Sequence, residues 1–154
     1  MCLLEGTNLS EGRGTDAPFL TVGAPYIDPR KWLDAIPADM LAGIRAEPVT
    51  FRPRAIPGVV SQPKYRGEAC RGLRLTVTDR ERFQPIPLAV AMLCAARQLW
   101  PERFTMSKYL DKLWGNEVLR GMVSEGYGPG EILATCAEAI ARFESVRDKY
   151  LRYQ

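Results

Sequence analysis

The chain has 154 residues, 46% of them hydrophobic and 25% charged, with 21 Lys and Arg set against 18 Asp and Glu. That length fits one domain with a substantial core, and the interspersed charges leave no basic footprint for a nucleic acid. Histidine is absent, which excludes a Ser-His-Asp triad, a Cys-His pair and imidazole metal ligation.

In chain order, residues 1–5 read as a short buried strand ending in a carboxylate, followed by a loop to about Pro18. Phe19-Leu20-Thr21-Val22 is a second apolar run, stopped by Gly23-Ala24-Pro25. Asp28-Pro29 starts a helix with Asp as N-cap, carrying Trp32, Leu33 and Ile36 inward; a second short helix passes through Met40, Leu41 and Ile44. Val49-Thr50-Phe51-Arg52 alternates as a half-buried strand. Residues 53–69, with Pro53, Pro57, Gly58, Pro63 and Gly67, form a long irregular connection of the kind that is often functional. Leu73, Leu75 and Val77 share one face of a strand over 72–78, which ends in Asp79-Arg80. Asp79 and Arg80 are expected to form an ion pair organising that strand end.

Helices follow: an apolar one over 86–100, a short one over 107–114, one over 117–125 capped by Asn116, and a final one through Ile132, Leu133, Cys136, Ile140, Phe143 and Val146. Strands and loops followed by helices argue an α+β fold, with short strands and long loops in the N-terminal half and a helical C-terminal half. No apolar run reaches the ~18–20 residues needed to span a bilayer, and no signal peptide is seen at the N-terminus. Cys2, Cys70, Cys94 and Cys136 lack CxxC spacing, so no metal site is expected. Cys94 and Cys136, in apolar helical contexts, read as small core residues, and Trp32, Trp100 and Trp114 as core or interface residues.

The first loop holds the chemistry. Glu5-Gly6-Thr7-Asn8-Leu9-Ser10-Glu11-Gly12-Arg13-Gly14-Thr15 gathers carboxylates, an amide, hydroxyls and a guanidinium between glycines. That set suits a sugar better than a hydrophobic ligand, and loops at scaffold edges are where such groups are presented. A phosphate site at Gly12-Arg13-Gly14-Thr15 ranks low, because no GxxxxGK[ST] pattern is present.

The same stretch resembles the EGTN-x-S-x-GRGT signature of the NamZ-type exo-β-N-acetylmuramidases, bacterial peptidoglycan-recycling glycosidases. Pro18-Phe19 with Gly23-Ala24-Pro25-Tyr26, then Phe51-Arg52-Pro53, then Cys70-Arg71-Gly72-Leu73 through Val77-Thr78-Asp79-Arg80 and Phe83-Gln84-Pro85, resemble further family segments in the same order. Tyr150-Leu151-Arg152-Tyr153 resembles its closing element. Family members place a Rossmann-like domain before this region, with the active site expected between the two. The resemblance therefore implies that residues 1–154 are a single domain, the C-terminal portion of such a hydrolase, a truncated reading frame, or a subunit needing that domain in cis or trans. It further implies a secreted or periplasmic parent, no cofactor, and peptidoglycan-derived muramic acid saccharides as ligands.

Hydrolysis of a glycosidic bond usually takes two carboxyl groups. Glu5 is the candidate here, the alternative being that it pins the loop by accepting backbone N–H bonds. Glu11, between Ser10 and Gly12, is the weaker candidate and is expected to face solvent. The second carboxylate falls to the other domain. N-acetylmuramic acid carries a lactyl carboxylate, which a planar guanidinium binds bidentately; Arg13 is the candidate and Arg52 the alternative. Asn8, Ser10 and Thr15 are candidate sugar contacts, though Asn8 equally suits an Asx turn. Tyr26 is a candidate stacking platform. A different class of function, a non-catalytic module binding cell-wall sugar, fits the same loop; Glu5 separates the two, since a hydrolase needs the acid and a binding module does not.

Overall fold

A computed structural model describes residues 2–152. Three antiparallel strands form one sheet in the order β1 (Thr21–Ala24), β3 (Cys70–Val77), β2 (Ile44–Phe51). Along the full length of β2, Ile44 pairs with Val77 and Phe51 with Cys70; β1 pairs Thr21 with Arg74 through Ala24 with Arg71. The central strand buries Cys70, Gly72, Leu73 and Leu75. Strand β2 is an edge, which is why it tolerates Pro48 and leaves most of its residues exposed or half-buried.

The helices are α1 (Pro29–Asp34), α2 (Pro85–Leu99), α3 (Tyr109–Trp114), α4 (Val118–Glu125), α5 (Pro129–Ala134) and α6 (Ala137–Arg147). Asp28 caps α1 as expected, accepting from Arg30 N–H at 3.1 Å and Lys31 N–H at 3.2 Å. Helix α2 carries the core: Leu88 through Leu93, Ala95 and Ala96 are buried, with Cys94 half-buried among them. Trp32 packs wholly inside, and its indole N–H donates to the Met92 carbonyl at 3.1 Å, so the buried donor is satisfied. Trp100 stands edge-on to both Trp32 and Tyr26. The α+β order read from the sequence is the observed one.

Four local readings are corrected. Cys2–Gly6 is a 3₁₀ turn rather than a strand; the Thr7 N–H and hydroxyl both bond back to the Leu4 carbonyl, at 3.1 and 2.8 Å, closing a corner that an extended ladder cannot make. Ala38–Leu41 is likewise a 3₁₀ turn, and Ile44 opens β2. The final helix breaks near Thr135 into α5 and α6, leaving Ile140, Phe143 and Val146 exposed instead of in the core. Asp79 forms no ion pair with Arg80 among the described residues; its carboxylate accepts from the Glu81 and Arg82 N–H groups at 3.0 and 3.2 Å. Of the thiols, Cys70 is the fully buried one, whereas Cys94 and Cys136 are half-buried. Burial pushes both the Cys70 and Cys94 thiols up to about 11. Tyr153 of the closing element lies outside the described residues.

Candidate active site

The signature loop is folded by its own small residues. Gly12 and Gly14 sit at φ of 79° and 81°, and a Cβ at either would strike a carbonyl oxygen, that of Thr21 or Arg54. The loop therefore lies flat against β1 and the start of the 53–69 connection, with Arg54 N–H bonding the Gly14 carbonyl at 2.9 Å.

Most of its hydroxyls and its amide are consumed in holding this shape. Ser10 is buried, its backbone pairs with Gly23, and its Oγ accepts from Gly12 N–H at 3.3 Å. Thr15 donates to the Gly12 carbonyl at 2.6 Å. Asn8 donates to the Arg103 carbonyl at 2.7 Å and accepts from Thr105 N–H at 3.0 Å and the Tyr26 hydroxyl at 2.9 Å. Its bonds thus run to a distant segment rather than to an Asx turn of its own. Burial, with the Tyr65 phenol adding to it, holds the Tyr26 phenol well above its ordinary value, so it stays a neutral donor to Asn8. The Tyr26 ring stands edge-on to Trp100 at 6.2 Å.

What remains is a chain of charge. Arg13 reaches Glu5 through Nη2 at 3.3 Å and Glu11 through Nε at 3.3 Å, with its guanidinium 5.0 Å from the Phe19 ring centre. Phe19 itself holds a left-handed backbone, φ 63°, kept by its N–H bond to the Glu11 carbonyl at 2.7 Å. Glu11 does not face solvent: it is 5% exposed, and Lys64 Nζ lies 3.0 Å from its second oxygen. The physical reason is that two cations, one from the loop and one from the 53–69 connection, compensate the buried charge. Glu5 is half-buried, and among the described residues its carboxylate accepts from Arg13 and from no backbone N–H. The network brings Glu5 and Arg13 together. Arg52 has no polar contact with this network among the described residues: it donates to the Gly67 carbonyl and lines, with Gly14 and Thr15, an open groove of about 440 Å³. No cluster of three His, Cys, Asp or Glu side chains suited to a metal occurs among the described residues.

A family model described as exo-β-N-acetylmuramidase NamZ, C-terminal, matches residues 1–153. The chain belongs to this family. A curated relative, the peptidoglycan β-N-acetylmuramidase NamZ of Bacillus subtilis (strain 168), is 32% identical over 153 residues, covering 98% of this chain and 35% of the relative. The chain thus spans about a third of the curated NamZ that it matches. Two solved DUF1343 family proteins from Bacteroides fragilis NCTC 9343 share the fold: one at TM-score 0.76 and 16% identity, covering 99% of this chain and 40% of that one, the other at 0.63 and 26%, covering 99% and 38%.

Sequence reasoning passed over Lys64, the Phe19 stack and the 103–107 segment. The 53–69 connection is of the irregular kind that is often functional, yet nothing in the sequence marks which residue of it points at the loop.

Proposed function

We propose that this domain supplies one wall of a cell-wall muramidase site, with Glu5 as one of the two carboxyl groups and an N-terminal Rossmann-like domain contributing the other, in cis or in trans. The proposed substrate is a peptidoglycan fragment outside the cytoplasm, cut to release N-acetylmuramic acid from its non-reducing end. Membership of the NamZ C-terminal family supports the chemistry, and the curated relative is named for that activity. The observation that carries the site assignment is the pairing of Glu5 with Arg13, while Asn8, Ser10 and Thr15 are spent on the loop itself. In this reading the lactyl carboxylate of the sugar takes the guanidinium edge of Arg13 that Glu5 now occupies. The sugar enters carboxylate-first, leaving Glu5 beside the scissile bond. Among the signature residues, Asn8, Ser10 and Thr15 then act by holding the loop, and Arg52 and Tyr26 border the groove and the Trp100 cluster.

The test is hydrolysis of a chromogenic N-acetylmuramide by this chain alone and with the N-terminal domain of a family member added. Turnover in the mixture that falls by at least about a thousandfold in Glu5→Gln is expected, the scale for removing a catalytic carboxyl group. Binding of N-acetylmuramic acid with no turnover in either preparation would return the sugar-binding module instead.

A further inference from the structure

We infer that Lys64 is the positioning residue of this site, its ammonium locking the Glu5 turn and the Glu11 loop into one arrangement. The inference rests on the reading of Glu5 as a catalytic group and adds to it the residue that sets where that group stands. Lys64 Nζ lies 3.1 Å from the Glu5 carbonyl, 3.0 Å from the Leu9 carbonyl, 3.0 Å from Glu11 Oε2 and 3.4 Å from the Leu4 carbonyl. Those acceptors come from both ends of the signature turn, so one cation closes the loop on itself. An ammonium offers three protons, and four acceptors converge on it, the longest contact being shared.

The approach of Lys64 is itself over-determined. Pro63, which is buried, packs where a Cβ on Gly14 would fall. Tyr65 then takes a left-handed backbone at φ 56°, a conformation bulky residues adopt only when their surroundings enforce it. The corner Pro63-Lys64-Tyr65 therefore drives the side chain inward, to a third of its full exposure, instead of leaving it in solvent. The carbonyl of Glu5 is held by the same nitrogen that holds Glu11, and Glu11 in turn holds Arg13, which faces the Glu5 carboxylate. Lys64 thus fixes Glu5 twice, through its backbone and through its ion-pair partner. A guanidinium cannot substitute, because its planar fork does not converge on carbonyls arranged about a single point.

The experiment compares Lys64→Met and Lys64→Arg with the unaltered chain. In the chain itself, amide hydrogen exchange over residues 2–12 should quicken roughly tenfold or more in Lys64→Met while α2 keeps its protection. Unchanged exchange there overturns the inference, whether or not the chain has activity. In the mixture with the N-terminal domain, kcat on the muramide should fall roughly a hundredfold with KM within about threefold, the pattern of a misplaced catalytic group. In a Glu5→Gln background, Lys64→Met should cost almost nothing further. Full activity in Lys64→Arg, or full additivity with Glu5→Gln, would reduce Lys64 to a counter-charge and also overturn it. If Glu5→Gln leaves turnover intact, the proposed role of Glu5 fails separately, and the exchange arm still decides whether Lys64 orders the loop.

Discussion

Glu11 is a buried carboxylate held between two cations, Arg13 Nε at 3.3 Å and Lys64 Nζ at 3.0 Å. Flanked by Ser10 and Gly12 it reads as a surface carboxylate, because a polar loop is ordinarily solvated. Its burial depends on cations that come from positions 2 and 53 residues away, and spacing does not encode that meeting. Glu5 and Arg13 were legible for a different reason: both lie within one short signature, so their proximity is local. Glu11→Gln keeps the shape and removes the charge, leaving Lys64 with its carbonyls and Arg13 with Glu5. Breaking a fully buried pair costs 3–5 kcal/mol, but these cations are 31% and 43% exposed, so about 2 kcal/mol is expected. For a domain of this size that is a fall in Tm of roughly 4–8 °C, measured by thermal denaturation. A shift below about 2 °C would mean that solvent already screens the pair.

At the level of elements, α2, β3 and the α1 cap are legible because burial pattern and punctuation agree there, whereas β1 lies two residues later than its apolar run and only the second half of β2 shows in the sequence. The end of the chain is not legible. Ile140, Phe143 and Val146 recur at helical spacing, and an amphipathic period announces a stripe without saying whether anything lies against it. The break between α5 and α6 leaves Ile132 wholly buried and Phe143 64% exposed. The two should therefore answer oppositely to truncation. Ile132→Ala is expected to cost about 3 kcal/mol, the scale of a buried aliphatic deletion. Phe143→Ser should stay within about 0.5 kcal/mol, as surface changes do. Urea denaturation of both variants checks this; a large loss at Phe143 would show α6 folded back on the core in solution.

Across the whole molecule, the signature loop is fastened to the helical half. Thr7 bridges Met106, Asn8 N–H bonds the Thr105 carbonyl at 3.1 Å, and Ser107 N–H bonds the Gly6 carbonyl at 2.8 Å. The side chain of Asn8 completes the strap, with its oxygen taking the Thr105 N–H and the Tyr26 hydroxyl and its NH₂ facing the Arg103 carbonyl. Site geometry is thereby coupled to contacts closed over about a hundred residues, which are costly to form and late to appear in folding. Asn8→Asp tests that strap with a single atom. The two acceptor roles survive, whereas the lost donor leaves a carboxylate oxygen facing a carbonyl oxygen, expected to cost about 2 kcal/mol at pH 7. Facing that carbonyl favours the protonated acid, which alone can donate to it, raising the folded-state pKa of the new group above its unfolded value of ~3.9. Stability in the variant is then fully present below the unfolded pKa and lost as pH rises through the folded one. The deficit relative to the unaltered chain should accordingly narrow as pH falls from 7 toward 4, read by urea denaturation at each pH. A deficit that holds constant over that range would place the amide nitrogen elsewhere than on the Arg103 carbonyl.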